Sequence, residues 1–399
     1  MDSLNQHELK HLIAPQEGVH VSMFMPLESE PDKLKKNQIR LQNLMKQGRQ
    51  MVTAEDFLPP DVTRPDWDAF FQPVAELTAD NPYTGDNSPG MAEQGLALFL
   101  GPERHHIYHL PLSFDEGIVV GPRFHITPLL PLLDENGRFY LLTLSQNQVR
   151  LWHGTRLSLE PVDVPNLPAG ADAALSLEDP ERELQFHTST TSGVTPADGG
   201  DRPAVFHGHD ANTDKKDTML RYFREVNKAL QNVLTDEEAP LILAAVEYAW
   251  PIYKEANTYF YLLDEGIAGN PEHLNRQELH TRAWNLMRRH LEKTRQSVNE
   301  QYQSVAGTEK TSELLTEIVP AAAYGRIDTL FVNEQAHQLG SFNYSTGEVE
   351  IAEADDFACE DLVNLVAAST LQNGGKVYAF QPDEMPTDAN LAAIFRYVS

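Results

Sequence analysis

Two helical segments that end at glycines, each followed at once by a strand-like run, most constrain what this 399-residue chain can fold into. The first segment ends at Gly325, and β-branched and apolar residues follow at 327–332. The second begins after Asp361 and ends at Gly374, and residues 376–380 follow as a strand. Glycine just past a helix readily takes the left-handed conformation that ends it. We also predict a short helix at 390–397. Alternating helices and strands predict a small three-layer α/β domain.

Charge and cysteine content restrict the classes of function. With 31 basic and 59 acidic residues the formal net charge is −28, which disfavours a protein that coats nucleic acid non-specifically, and we predict no DNA partner. The N-terminal residues lack an apolar secretion core, and the apolar stretches are too short to span a membrane. We therefore predict a cytoplasmic protein with no membrane partner. The single cysteine, Cys359, excludes an internal disulfide, and we expect a buried structural thiol.

Three blocks separate along the sequence and predict a multidomain protein of the α/β and α+β classes. Residues 1–133 alternate helical segments with strand-like runs, which predicts a mixed-sheet α+β domain. Residues 134–270 open with a hairpin and continue through a loop, a helix, a buried strand and a helix, which predicts an α/β sandwich with a mixed sheet. Residues 271–399 place a long leading helix, at about 276–306, before the C-terminal α/β domain.

The loop at residues 165–213 is the longest stretch without periodicity. It is rich in Pro, Gly, Asp, Ser and Thr, and a loop of this length inside a domain is usually functional or mobile. It leads into an amphipathic helix at 215–234. The first turns of that helix are basic, because five Lys and Arg residues between Lys215 and Lys228 outnumber two acidic residues for a net charge of +3.

Two helices thus carry local positive charge in an acidic protein. On the long leading helix, six Lys and Arg residues between Arg276 and Arg295 oppose two glutamates, a net charge of +4. Such side chains either contact phosphates or form a solvated helix face that balances acidic neighbours. The candidates for RNA contact on the two helices are Lys215, Lys216, Arg221, Arg224, Arg282, Arg288, Arg289 and Arg295.

A histidine-rich stretch offers the alternative of metal chemistry. Imidazole and carboxylate groups of the kind that zinc accepts stand close together in sequence at His187, His207, His209 and Asp210. The chain contains no helical His-Glu-x-x-His pattern, serine-nucleophile elbow, phosphate-binding loop or dinucleotide fingerprint. We therefore predict no catalytic residue and no cofactor. A metal-dependent hydrolase that uses these four residues stays as an alternative function.

The order of the three blocks resembles that of the archaeo-eukaryotic peptide-chain release factors and their relative Pelota, and most closely the bacterial branch of that superfamily. The residues that carry the resemblance are Gly325-Arg-Ile-Asp-Thr-Leu-Phe-Val332, Leu371-Gln-Asn-Gly-Gly-Lys-Val-Tyr378 and Ala392-Ala-Ile-Phe-Arg-Tyr397. The resemblance implies a ribonuclease-H-like middle domain and a C-terminal domain similar to the ribosomal L7Ae/L30e proteins. Over the N-terminal block it is positional only.

The resemblance also implies a role in translation. In the release factors, a Gly-Gly-Gln tripeptide on the middle-domain loop orients water for peptidyl-tRNA hydrolysis. This chain has no Gly-Gly-Gln, and its loop contains Asp198, Gly199, Gly200 and Asp201. Aspartate cannot donate the amide hydrogen bond of glutamine. We therefore expect a protein that binds the ribosome or structured RNA without hydrolysing peptidyl-tRNA, with a translational GTPase as a further partner by analogy. A protein-binding adaptor is the remaining alternative.

Overall fold

Four β-sheets organise the part of the chain that a computed structural model describes. It describes residues 6–14, 17–54, 58, 62–79, 94–135, 137–156, 158–170, 211–235, 237–352 and 359–397. The contacts divide the chain into unit 1, which comprises Met1–Asn136 and Lys293–Ser399, and unit 2, which comprises Gly137–Glu292. The predicted division into three domains stays a prediction. None of the helices in the described ranges is long and apolar enough to cross a membrane.

The N-terminal part of unit 1 is built on a four-stranded sheet with helices packed against it. Its strands pair in the order β3-β2-β1-β4. Their bounds are β1 (His20–Pro26), β2 (Gly95–Leu100), β3 (His105–Leu110) and β4 (Gly117–Gly121). The helices of this part are α1 (Gln6–Ile13), α2 (Leu34–Thr53), α3 (Trp67–Phe70), α4 (Gln72–Ala79) and α5 (Leu130–Glu135).

This sheet is antiparallel throughout, so the prediction of a mixed sheet was wrong. Runs of apolar residues show where strands lie but do not encode their direction, which depends on where each connection returns. Both faces are buried. Met23 and Leu98 pack with α2 and α4 on one face. Phe24 and Phe99 on the other face belong to a core that also contains the C-terminal part of unit 1.

The C-terminal part of unit 1 is built from two helix-to-strand units. The first is α9 (Leu315–Ala323) followed by β11 (Ile327–Asn333), and the second is α10 (Leu362–Gln372) followed by β15 (Lys376–Phe380). Gly325 and Gly374 have φ values of +70° and +73°, as their predicted roles at helix ends require. Asp361 caps α10, since its side chain accepts a hydrogen bond from the backbone N–H of Val363 at 3.0 Å.

Two sheets complete this part. The main sheet has the order β10-β16-β11-β15, with β10 (Thr311–Ser312) and β16 (Leu391–Phe395). A smaller antiparallel sheet has the order β13-β12-β14, with β12 (Leu339–Phe342), β13 (Val349–Ile351) and β14 (Glu360–Asp361). Cys359 precedes β14 at the edge of the small sheet and is half-buried, not buried as expected.

The predicted final helix at 390–397 is wrong, because its core is the strand β16. Leu391, Ala393 and Phe395 face α9 and α10, whereas Ala392 and Ile394 face the other side of the sheet with Tyr302. All five residues are buried, so the alternation that marks a half-exposed strand is missing from the sequence. Helices thus cover both faces of the main sheet, which confirms the expected three layers.

Unit 2 has a mixed five-stranded sheet, as predicted, in the order β7-β6-β5-β8-β9. Its antiparallel strands are β5 (Phe139–Leu144), β6 (Val149–Gly154) and β7 (Leu159–Val162), and β8 (Leu241–Ala245) and β9 (Ile267–Ala268) continue in parallel from β5. The helices are α6 (Ala211–Leu234), α7 (Ala249–Ala256) and α8 (Arg276–Val305), and the last of these continues into unit 1.

Candidate nucleic-acid interface

The two basic helices of unit 2 pack on opposite faces of its sheet. Tyr140 and Leu142 of β5 point into a core formed with α6 and α7. Phe139 and Leu141, the alternate residues of the same strand, point into a core formed with α8. Side chains alternate between faces along a strand, so the sheet separates the two helices. The predicted basic residues therefore do not form one continuous surface.

Helix α6 has a buried side and an exposed basic side. Leu220, Phe223 and Val226 are buried in the core of unit 2. Arg221 and Arg224 are exposed, and Lys228 continues their row one turn further along the helix. The spacing of three and four residues places these side chains on one side of the helix. Burial of the apolar side thus fixes the direction in which the positive charges project.

Arg221 and Arg224 are the most available cations of this helix. Within the described ranges neither of them forms an ion pair, whereas Lys216 lies 3.2 Å from a carboxylate oxygen of Glu255. Lys228 and Glu225 are separated by 3.9 Å with the lysine side chain largely exposed, so that pair contributes little. The backbone of Lys215 is helical, and its side chain lies outside the described part of the structure.

Most of the candidates on α8 have acidic partners. Arg288 lies 3.8 Å from Glu292, and Arg289 lies 3.2 Å from Glu265. Arg282 is exposed and, among the residues that the structure describes, has no carboxylate partner. These contacts favour the solvated-face interpretation for this part of α8.

Arg295 belongs to unit 1 and has a structural role there. Its guanidinium contacts Glu384 at 3.2 Å and donates a hydrogen bond to the backbone oxygen of Ala379 at 2.9 Å. It also lies 5.1 Å from the ring centroid of Phe380, within the range of a cation–π contact. A side chain with three partners that is only partly exposed is poorly placed for RNA.

The sequence did not lead us to predict a functional role for an aromatic segment that lies beside α6. Tyr259, Phe260 and Tyr261 lie between α7 and β9, and Phe260 is 88% exposed. A cavity of about 280 Å³ lies between this segment and the last turns of α6.

The signal in the sequence for this segment was three consecutive aromatic residues shortly after the end of a helix. They resembled an ordinary apolar run, and only the fold shows that the middle ring is in solvent.

The other predicted site residues lie outside the described residues. These are Asp198, Gly199, Gly200 and Asp201 of the long loop and the alternative metal ligands His187, His207, His209 and Asp210. Among the described residues, no group of three or more His, Cys, Asp or Glu side chains could hold a metal ion. Both interpretations of the long loop therefore stay predictions.

A buried polar cluster joins the two parts of unit 1. Arg123, which follows β4, forms an ion pair with Glu360 of β14. Asn364 of α10 accepts a hydrogen bond from the backbone N–H of Ile126 at 2.7 Å and donates one to the backbone oxygen of Phe124 at 3.0 Å. Burial raises the pKa of Glu360, and the Arg123 charge opposes that effect. The groups satisfy one another, so we interpret the cluster as structural.

The imidazole of His125 is next to this cluster. Its Nδ1 atom lies 3.9 Å from a carboxylate oxygen of Asp361, and the Nδ1 atom of His337 lies 3.3 Å from the same oxygen. Burial lowers the pKa of His125 from 6.5 to about 4, against the opposing attraction of Asp361. His125 is therefore neutral at physiological pH. Its protonation at lower pH makes the stability of unit 1 depend on pH.

The fold is that of a multidomain α/β protein. Residues 138–326, just under half of the chain, match the family model of bacterial archaeo-eukaryotic release factor family 3. This match confirms the resemblance to the bacterial branch of the release-factor and Pelota superfamily and covers almost all of unit 2, including α6 and the aromatic segment.

The solved structures that are similar to this chain include a translation termination factor and Pelota-type proteins. The archaeal translation termination factor aRF1 is 15% identical with a TM-score of 0.25, and 99% of each chain is covered. Archaeal Pelota, in a model of its ribosome-bound complex with ABCE1, is 11% identical with a TM-score of 0.39, and 100% of this chain and 96% of that chain are covered. Dom34 from S. cerevisiae is 12% identical with a TM-score of 0.37, and 75% of each chain is covered. No curated protein matches the chain.

Proposed function

We propose that this protein binds RNA within the translation machinery, with the ribosome as its main partner, and that it acts without hydrolysing peptidyl-tRNA. The observation that carries the proposal is the exposed row of Arg221, Arg224 and Lys228 on α6, inside the segment that matches the family model. In a protein with a net charge of −28, an exposed basic row without full acidic compensation is suited to attract an anionic partner. RNA phosphates are the anions that Arg and Lys bind most often in this setting.

The proposed lack of hydrolysis rests on the sequence of the long loop. The chain contains no Gly-Gly-Gln, and the carboxylates of Asp198 and Asp201 would be repelled by RNA phosphates. A role in surveillance or rescue of ribosomes needs binding only. A translational GTPase is the further partner that we propose from the family resemblance.

Co-sedimentation with ribosomes tests the proposal. We expect the full-length protein to migrate with ribosomal fractions at low salt and to dissociate as salt rises, because phosphate contacts release counterions. Charge reversal in the double variant Arg221→Glu/Arg224→Glu should weaken binding at least about tenfold. The matched control is Arg282→Glu/Arg288→Glu, which makes the same change of charge on the opposite face of the sheet and should bind as the wild type does.

Three results would contradict parts of the proposal. Wild-type protein that stays out of the ribosomal fractions at low salt would remove the ribosome as partner. An equal loss for the α8 control would show that binding follows net charge and not the α6 row. Release of labelled peptide from stalled ribosomes by the purified protein alone would overturn the proposal that it does not hydrolyse peptidyl-tRNA.

A further inference from the structure

We propose that the aromatic segment Tyr259–Tyr261 and the last turns of α6 form a stacking site for an unpaired base of single-stranded RNA. The inference rests on the function proposed above and adds the kind of RNA that is recognised. Phe260 would hold the base, and the basic row of α6 would hold the phosphates next to it. Exposed aromatic rings beside basic grooves are the general means by which proteins bind single strands without sequence preference.

The aromatic segment is held firmly by its neighbours. The Tyr259 hydroxyl shares its proton between the backbone oxygens of Ala239, at 2.7 Å, and Glu237, at 3.1 Å. The side chain of Asn257 bonds both the N–H and the C=O of Tyr259, at 3.2 and 2.8 Å. The backbone of Tyr261 accepts a hydrogen bond from Leu241 at the start of β8. A ring presented from such a scaffold loses little conformational entropy when a ligand stacks on it.

The Phe260 ring is exposed although apolar partners are near. Its centroid lies 5.2 Å from that of Tyr261, with the two planes at 87°, so the rings meet edge to face and do not stack on each other. With 88% of its side chain exposed, Phe260 contributes little to the core of unit 2. Covering a phenyl ring that is exposed on such a segment removes apolar surface from water, which favours a partner that stacks on it.

The cavity beside the segment has polar groups that suit the edge of a base. Asn227 and Gln231 of α6 donate hydrogen bonds to the hydroxyl of Thr258 at 2.9 and 3.0 Å, which ties the helix to the segment. Gln231 is exposed and uses its side-chain nitrogen in this bond, which leaves its side-chain oxygen as an acceptor for an exocyclic amine. Leu230 and Leu234 form the apolar floor of the cavity.

The basic row and the cavity are continuous along α6. Arg221, Arg224, Lys228 and Gln231 follow one another at spacings of three and four residues, and all four are exposed. Ten residues of helix cover about 15 Å, so the row spans several phosphates of an extended strand and ends at the aromatic segment. An apolar peptide would fill the cavity but would leave the cations unused. Charge complementarity therefore favours RNA as the occupant.

Fluorescence anisotropy with the full-length protein and a labelled oligouridine of about twelve nucleotides tests the site. We expect Phe260→Ala to bind about tenfold more weakly than wild type, with the same dependence on salt, because a stacking contact and no charge is lost. Phe260→Trp should restore binding. Arg221→Gln and Arg224→Gln should each lower affinity and reduce the salt dependence by about one counterion, since each removes a phosphate contact.

Tyr248→Ala is the matched control. Tyr248 is 57% exposed and follows the carboxyl end of β8, whereas the aromatic segment lies beside the amino end of the same strand, where Tyr261 bonds Leu241. The site is supported if Phe260→Ala loses affinity for the oligouridine, Tyr248→Ala does not, and the thermal unfolding of both variants is unchanged.

Equal binding of wild type and Phe260→Ala overturns the stacking site. The ribosome proposal is then decided separately by co-sedimentation. Wild-type protein that sediments with ribosomes but does not bind the oligouridine also overturns the site and indicates a structured RNA contact.

Discussion

At the scale of single residues, His125 gives unit 1 a pH-dependent stability. Its pKa falls from 6.5 in the unfolded chain to about 4 in the folded protein because the ring is buried. Between these values the unfolded state binds more protons than the folded state, so the free energy of unfolding rises with pH. The contribution of His125 is complete above about pH 6.5 and is lost as the pH falls towards 4. The full difference corresponds to about 3 kcal/mol.

We therefore expect His125→Gln to flatten the pH dependence of unfolding between pH 6.5 and 4. The measurement is urea denaturation of wild type and variant at several pH values. His20 is also buried and its pKa is also lowered by burial, so the variant retains its contribution, which has the same sign. Parallel curves for wild type and variant across the window would show that His125 is not the titrating group.

Gly374 tests the feature of the sequence that most constrains the fold. Its φ of +73° is a conformation that residues with a Cβ atom adopt only at a cost of about 1 to 2 kcal/mol. An added Cβ would meet nothing closer than 4.0 Å, so backbone strain and not a clash would cause the loss. We expect Gly374→Ala to lower the free energy of unfolding by about 1 kcal/mol or more. Gly117→Ala, at an open position with ordinary φ, should change it by less than about 0.5 kcal/mol.

At the scale of elements, α10 is fixed to the N-terminal part of unit 1 through Asn364. This side chain is 3% exposed and satisfies the backbone N–H of Ile126 and the backbone oxygen of Phe124. Asn364→Ala would leave both groups buried without partners, at a cost of about 2 to 4 kcal/mol. Asn343→Ala is the control, because Asn343 also makes two hydrogen bonds to backbone groups, both accepted from N–H groups, but in an exposed turn. A loss as small as that of the control would refute the structural role of Asn364.

The elements that the sequence predicted well are those with local signals. The helix ends at Gly325 and Gly374 and the hairpin of β5 and β6 depend on turn and cap residues, which act within a few positions. Strand β16 was predicted as a helix because its alanine-rich sequence lacks alternation. It becomes a strand only because helices cover both faces of the sheet in which it lies, between β10 and β11. That cause is tertiary and is not present in the local sequence.

For the candidate interface, too, the sequence predicted what depends on local residues and not what depends on tertiary contacts. Composition was enough to find the basic residues of α6 and α8. It could not show that Arg288 and Arg289 have acidic partners, that the sheet separates the two helices, or that Phe260 is exposed. Each of these facts depends on contacts between residues distant in sequence. The exposure of Arg221 and Arg224 could be predicted from the helical spacing of the apolar residues in α6 alone.

At the scale of the whole molecule, unit 1 is formed from both ends of the chain. Its largest core combines Phe99 and Ile126 of the N-terminal segment with Val319, Leu330 and Leu365 of the C-terminal segment. α1 packs on α10, and α5 packs on β15. Unit 2 has its own two cores on the faces of a single sheet. The core of unit 1 therefore depends on both segments, whereas that of unit 2 is formed within one continuous segment.

This arrangement predicts how fragments of the chain behave. Residues 293–399 expressed alone should unfold without a sharp transition, because α10 would expose the apolar surface that the N-terminal segment covers. Co-expression of residues 1–136 and 293–399 as separate chains should give a complex that co-purifies and unfolds cooperatively, and Asn364→Ala in the second chain should weaken it. Size-exclusion chromatography and thermal unfolding by circular dichroism measure both properties. If residues 293–399 alone unfold cooperatively at the temperature of the complex, the C-terminal part is an independent domain, and the three-domain interpretation of the sequence is the better one.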